Sequence, residues 1–301
     1  MNGIINIYKE KGYTSHDVVA KLRGILKQKK IGHTGTLDPD ATGVLPVCLG
    51  NATKVCDLLT DKDKTYEAVL KLGIRTDTQD MTGTVLEEKE VETTEEVIVQ
   101  VIQSFVGEYA QVPPMYSALK VNGKKLYELA REGKVIERKP RQVVIHNIHI
   151  EKIDLESHEV TFSVSCSKGT YIRTLCEDIG GKLGCGGCMQ SLIRTRVGQF
   201  ALADSITLEQ VEKLQNEGTL EEKILAVDTV FSDKEEIIVT EEASVLLKNG
   251  NPLKKQQLKK VPETITDAMQ VRVYDSKGVF YAIYEYSKRY ERFQPVKMFL
   301  A

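Results

Sequence analysis

Apolar and polar positions along this chain change period several times, and each change marks an element. "GIINIYK" (residues 3–9) alternates weakly and predicts a short strand. "YTSHDVV" offers Thr14 or Ser15 as an N-cap, with Asp17 in the first turn. The helix that follows carries Val18, Val19, Leu22, Ile25 and Leu26 on one face. "VLPVCLG" (44–50) predicts a buried strand and "ATKVCDLLTD" (52–61) a short helix. "KTYEAVLKLG" (64–73) alternates clearly, with Tyr66, Ala68, Leu70 and Leu72 on one face. A capped helix is expected in "TTEEVIVQVIQSFVG" (93–107), ending at a glycine.

"QVPPMYSALKVNGKKLYELAREGK" predicts a proline-stiffened loop, a short strand and a short amphipathic helix. Long strands are expected at 141–155 and 159–167, then a helix starting near Thr170. "LIRTRVGQFALAD" (192–204) is expected to lead out of the domain. The pattern weakens near 217–234. Beyond it come a helix, "EEASVLLKNG", and the alternating segments "MQVRVYD", "GVFYAIYEY" and "QPVKMFLA". Strands joined by short turns, without a strict βαβ repeat, predict an α+β fold around a mixed, largely antiparallel sheet flanked by helices. The last part predicts a mostly β unit of about 70 residues, a size at which domains still fold alone.

Composition adds little. A hydrophobic share of 41% with 28% charged residues is that of an ordinary globular chain. No apolar run reaches membrane-spanning length and no signal-peptide pattern opens the chain, so the cytoplasm is the default expectation. Cys185 and Cys188 form a CxxC without a second ligand pair, which predicts a turn beside a helix and no metal site.

Charge is more telling in its placement than in its sum. The net charge is −2, yet "KLRGILKQKK" (21–30) holds five basic residues and no acidic one. From Lys120 to Arg141 eight basic residues face three acidic ones, and "LKKQQLKK" (253–260) adds four more. Such runs suit phosphate binding, and equally suit solvated helix faces.

Candidate chemistry begins in "GHTGTLDPDATGVLP" (32–46). Pro39 disfavours the helical region at Asp38, and Gly32, Gly35 and Gly43 permit tight turns around it. A carboxylate on such a loop serves either a flat ligand or an Asx-turn that caps its own backbone. "DPDAT" also matches the DxDxT loop of Asp-nucleophile phosphatases, but the buried strand that should precede it is missing. Arg173 falls in the first turn of its expected helix, where a cation opposes the dipole at a cost of about 0.3–1 kcal/mol. A buried carboxylate partner would offset that cost. Tyr66 reads as a core tyrosine or as a stacking platform for a base. His33 shares the Asp38 loop.

Together these segments resemble the TruB family of tRNA pseudouridine synthases. "GHTGTLDPDATGVLP" is similar to the family's catalytic loop, "KTYEAVLKLGIRTDTQD" to its second motif and "SKGTYIRTLCEDIG" to its third. "QVPPMYSALKVNGKKLYELAREG" resembles its RNA-clamping insertion, and the C-terminal part more loosely resembles a PUA RNA-binding domain. The resemblance implies a catalytic domain over 1–232, with the clamp at about 112–142, and a PUA-like domain over 233–301. It implies isomerisation of a flipped-out T-loop uridine, position 55 in standard tRNA numbering, with Asp38 as nucleophile. Tyr66 would stack on the uracil and Arg173 would pair with Asp38. Leu192 would form an apolar wall, and Tyr171 belongs to the motif of Arg173. His33 would support the everted RNA, and Asp80 would lie near the pocket. The implied partner is the tRNA T-stem-loop, bound by a monomer without cofactor, protein partner or membrane. One departure is visible: "YKEKG" has Tyr8 and Glu10 where the family often shows Asp and Pro around a lysine, which bears on the local loop geometry. A non-catalytic RNA-binding or RNA-folding protein on the same scaffold is the alternative.

Overall fold

The alternating segments assemble into two separate large sheets. The structure, a computed structural model, describes residues 1–299. In chain order the first elements are β1 (Gly3–Lys9), α1 (Ser15–Leu26), β2 (Ile31–His33), β3 (Thr42–Leu49), α2 (Cys56–Thr60) and β4 (Lys64–Leu72). A hairpin of β5 (Ile74–Thr76) and β6 (Val85–Glu88) precedes α3 (Glu95–Gln103) and β7 (Gly107–Gln111). The next segment holds β8 (Lys120–Val121), β9 (Lys124–Lys125) and α4 (Leu126–Arg131). Then come β10 (Arg141–Asp154), β11 (Glu159–Cys166), α5 (Ile172–Leu183), β12 (Gly187–Val197), β13 (Phe200–Ala201), α6 (Leu208–Glu217) and β14 (Ile224–Leu225).

The first sheet has the order β14-β1-β3-β12-β4-β11-β10-β7, with β2 on β3 and β13 on β12. Among the described residues its one parallel strand pair is β3 with β12, so the expectation of a mixed, largely antiparallel sheet is met. The segment from 192, expected to lead out of the domain, instead belongs to β12 at the centre of the sheet. Two register shifts, at Met189/Ser191 and Arg194/Arg196, break the period-2 alternation that would have marked it. β1 is buried on both faces, Ile4 in one apolar cluster and Ile5 and Ile7 in another, which explains its weak alternation.

On one face, Tyr66, Ala68 and Leu70 of β4 pack with Ile98 and Ile102 of α3 and Leu175 and Ile179 of α5. Another cluster joins Ile5 and Ile7 to Val18 and Leu22 of α1 and Val211 of α6. Each such buried side chain contributes about 1.5–3 kcal/mol. α6, whose N-cap Thr207 and Gln210 form a capping box, was not anticipated from the sequence.

The second sheet uses β15 (Glu235–Val239), β16 (Leu253–Lys254), β17 (Leu258–Lys260), β18 (Gln270–Tyr274), β19 (Phe280–Ser287) and β20 (Arg292–Met298), with α7 (Ser244–Lys248) beside it. Its order is β16-β20-β19-β18-β15-β17, a small β unit that fits a PUA-like fold. The end of the predicted segment "QPVKMFLA", residues 300–301, lies outside the described residues. Ile283 and Phe299 of this unit share an apolar cluster with Val44, Val230 and Phe231, so the two units meet through buried side chains.

Candidate active site

The loop between β2 and β3 carries Asp38. Its backbone closes a turn through the Ala41 amide, which donates to the Asp38 carbonyl at 3.1 Å. The side chain does not cap that turn. It accepts from Arg173 instead: Nε lies 2.9 Å from Oδ2 and Nη2 lies 3.3 Å from Oδ1. This is the forked, two-contact geometry that a guanidinium offers a carboxylate. Arg173 is buried in the first turn of α5, as expected, and its dipole cost is offset by the carboxylate partner anticipated for it.

Arg173 also gathers two other segments. Nη1 donates to the Thr78 carbonyl at 3.1 Å and lies 3.8 Å from Oδ2 of Asp80. Nη2 donates to the Tyr116 carbonyl at 2.9 Å. Asp80 is held in turn by the hydroxyls of Thr78 and Thr82 at 2.7 and 2.6 Å.

Thr170 is not the helix cap. Its hydroxyl donates to the Ser167 carbonyl, and Tyr171 occupies the cap position. Gln111, at the end of β7, supplies what the cap lacks: its carbonyl oxygen accepts from the Tyr171 amide at 2.7 Å, and its amide donates to the Tyr171 carbonyl at 2.9 Å. Gln111 is buried and immediately precedes the segment expected to clamp RNA. Sequence reasoning missed it.

Tyr66 and Leu192 lie in one buried cluster with Leu37, the residue before Asp38. Burial pushes the Tyr66 hydroxyl up to about 12, with Arg194 acting the other way. Asp38 keeps 39% of its side-chain exposure, so its recess is open on one side. Enclosure by protein raises the Asp38 carboxyl above its ordinary range, Arg173 pulls it down, and Asp80 adds to the rise. Burial likewise raises the Tyr171 hydroxyl.

His33 leads away from this cluster. Its ring packs edge-on against His16 of α1, with centroids 5.1 Å apart. Both line a groove of about 550 Å³ with Arg23, Lys29 and Lys30, part of the basic run. Burial, then His16, lowers the His33 pKa.

Two buried cations under the Asp38 loop were also missed. Lys9 is fully buried and donates to the carbonyls of Tyr13 (2.6 Å), Pro39 (3.0 Å) and Glu10 (3.1 Å). It ties β1 to the Asp38 loop even though Tyr8 and Glu10 depart from the family pattern. Burial brings its pKa down to about 8. Arg194 of β12 donates to Val44, Gly35 and Thr36 carbonyls. The available signal was a basic residue inside an apolar strand: Lys9 follows Ile5 and Ile7 on one face, and Arg194 sits in "LIRTRV". Cys185 lies in the turn after α5 and Cys188 in β12, both buried.

Comparison with known proteins identifies the family. The family model for the TruB family pseudouridylate synthase N-terminal domain matches residues 23–172. That for the tRNA pseudouridylate synthase B C-terminal domain matches 173–232. A tRNA pseudouridine synthase B from Lachnoclostridium phytofermentans is 59% identical, with all of both chains covered. One from Alkaliphilus oremlandii is 51% identical over 83% of this chain and 82% of its own. Among solved structures, one described as an H/ACA RNP bound to a substrate RNA containing 2'-deoxyuridine superimposes with a TM-score of 0.73 and 26% identity, covering 99% of this chain and 85% of the other. Matched by these two family models over residues 23–232 and by these relatives at 59% and 51% identity, the chain belongs to the TruB family of pseudouridylate synthases, isomerases of uridine.

Proposed function

We propose that this chain is a tRNA pseudouridine synthase that isomerises the T-loop uridine at position 55, with Asp38 as the nucleophile. The observation that supports it most is the two-contact Asp38–Arg173 pair beside Tyr66 and Leu192. A target uridine stacked inside a folded loop must be everted before a carboxylate can reach its glycosidic bond. Tyr66 then replaces the lost stacking, and Leu37 and Leu192 keep water from the detached base. His33 supports the everted RNA from the basic groove, Tyr171 leads into the turn that carries Arg173, and Asp80 borders the pocket 3.8 Å from the Arg173 guanidinium.

The reaction conserves atoms and electrons. The bond from C1′ to N1 breaks, a bond from C1′ to C5 forms, the C5 proton leaves and N1 gains one. Asp38 must be ionised to act, and Arg173 favours that form against the cost of enclosure.

Residues 1–232 form the catalytic domain, with 112–142 clamping the T-stem-loop, and 233–301 form a PUA-like RNA-binding domain. The enzyme acts as a cytoplasmic monomer. The test is an unmodified tRNA transcript incubated with the purified chain alone. One T-loop uridine is converted, and Asp38→Asn abolishes conversion while retaining binding. Wild-type protein that binds the transcript without converting it would instead mark a non-catalytic RNA binder.

A further inference from the structure

The loop between β5 and β6 meets Arg173 at Nη1, the guanidinium nitrogen that Asp38 leaves free. The Thr78 carbonyl accepts from Nη1 at 3.1 Å, and Asp80 Oδ2 lies 3.8 Å from it. Both residues are immediate chain neighbours of Gln79, so whatever fixes Gln79 fixes what Arg173 meets on this side.

Gln79 has a φ of +65°, in the left-handed region where glycine is the residue without steric cost. What glutamine adds there is its side chain, and both ends of that side chain are used. Oε1 accepts from the Thr174 hydroxyl at 2.7 Å, and Nε2 donates to the Glu177 carboxylate. Thr174 follows Arg173 in α5, and Glu177 stands three residues from Thr174 and four from Arg173, spacings that make them neighbours on the helix surface. The glutamine therefore lies along the stretch of helix that presents the guanidinium.

The main chain is tied as well. The Met189 amide donates to the Gln79 carbonyl at 3.0 Å, and the Met81 amide donates to the Met189 carbonyl at 3.1 Å, which makes Asp80 and Met189 an isolated parallel bridge. The loop is thus joined at Gln79 to both elements that bear site residues, α5 with Arg173 and β12 with Leu192. We propose that Gln79 is a positioning residue: it docks the loop along α5, so that Thr78 and Asp80 occupy Nη1 while the fork of Nε and Nη2 stays on Asp38. The inference rests on the synthase reading above, and Gln79 acts through Arg173.

The test uses the full chain and an unmodified tRNA transcript, with single-turnover rates and tRNA Kd measured together. Gln79→Gly suits the left-handed backbone and removes both side-chain bonds. It is expected to slow conversion about 10- to 100-fold, as misplacement of reacting groups does, with Kd changed less than about threefold. Gln79→Glu sets two carboxylates against each other and should be at least as slow. Adding Glu177→Gln exchanges donor and acceptor, so the pair should return to within about threefold of the wild-type rate. Arg75 keeps Glu87 as a partner at 3.2 Å in that variant. Where Arg173 is already lysine, Gln79→Gly should cost less than about threefold more. A glycine variant as fast as wild type, an exchanged pair that stays slow, or losses that multiply with Arg173→Lys would overturn the proposal and leave the synthase reading intact. A wild-type chain without conversion would sink that reading itself. Should the exchanged pair fail to fold, Gln79→Gly alone and with Arg173→Lys decides.

Discussion

Arg173 grips Asp38 through both carboxylate oxygens, at 2.9 and 3.3 Å, while its remaining donors reach the carbonyls of Thr78 and Tyr116. One side chain thus fixes the Asp38 carboxylate against two loops. Arg173→Lys keeps a cation but loses the fork. Conversion is expected to slow by about 100-fold or more, with tRNA Kd nearly unchanged. Quench-flow under single-turnover conditions, beside a filter-binding titration, checks both halves.

The pH dependence follows from the same pair. On the proposed reading Asp38 acts ionised, and enclosure raises its pKa, so the rate should climb with pH through a limb above the ordinary aspartate value. Arg173 opposes that rise, so Arg173→Gln should move the limb further up in pH. The linkage has a definite sign. Because the folded-state pKa is raised, the stability this group contributes is present below its unfolded pKa and lost as pH rises through the folded value. Single-turnover rates across acid pH would show the limb.

Gln111→Glu leaves the shape of the side chain but removes the donor to the Tyr171 carbonyl and sets an anion against it. A loss of about 1–3 kcal/mol in stability is expected, as for a buried group left unsatisfied. Because Tyr171 leads directly into the turn that carries Arg173, conversion should fall more than the change in unfolding midpoint alone explains. Urea titration and single-turnover rates on one preparation test this.

Leu192 is buried beside Tyr66 and Leu37. Leu192→Ala should cost about 2–5 kcal/mol through the cavity it leaves, and it opens the apolar wall to water. Thermal unfolding reads the first effect and the rate of conversion the second.

Much of this site could be read in the letters because its residues break local rules. An arginine in a helix's first turn asks for an anion, and Asp38 answers at 2.9 Å. An aspartate fixed by the following proline and flanking glycines left a ligand and an Asx-turn equally open, and among the described residues its side chain makes no self-capping bond but pairs with Arg173. What stayed hidden depends on distant pairing. β12 escaped detection because its two register shifts scatter the buried positions Met189, Leu192, Arg194 and Val197 out of alternation. The cap of α5 could not be inferred locally, since it comes from Gln111, 60 residues away in sequence. Lys9 and Arg194 went unremarked because sequence alone does not show which backbone carbonyls will surround them.

The cluster linking Phe231 to Ile283 and Phe299 has a consequence for how a long RNA would be held. Two contact surfaces joined by interdigitated aromatic and aliphatic side chains keep a preset spacing, so a ligand that touches one is delivered to the other at high effective concentration. A glycine-rich linker inserted after residue 232 would retain every contact residue yet forfeit that gain. Its affinity for whole tRNA should drop towards that for an isolated stem-loop, as though a caliper had been exchanged for a string.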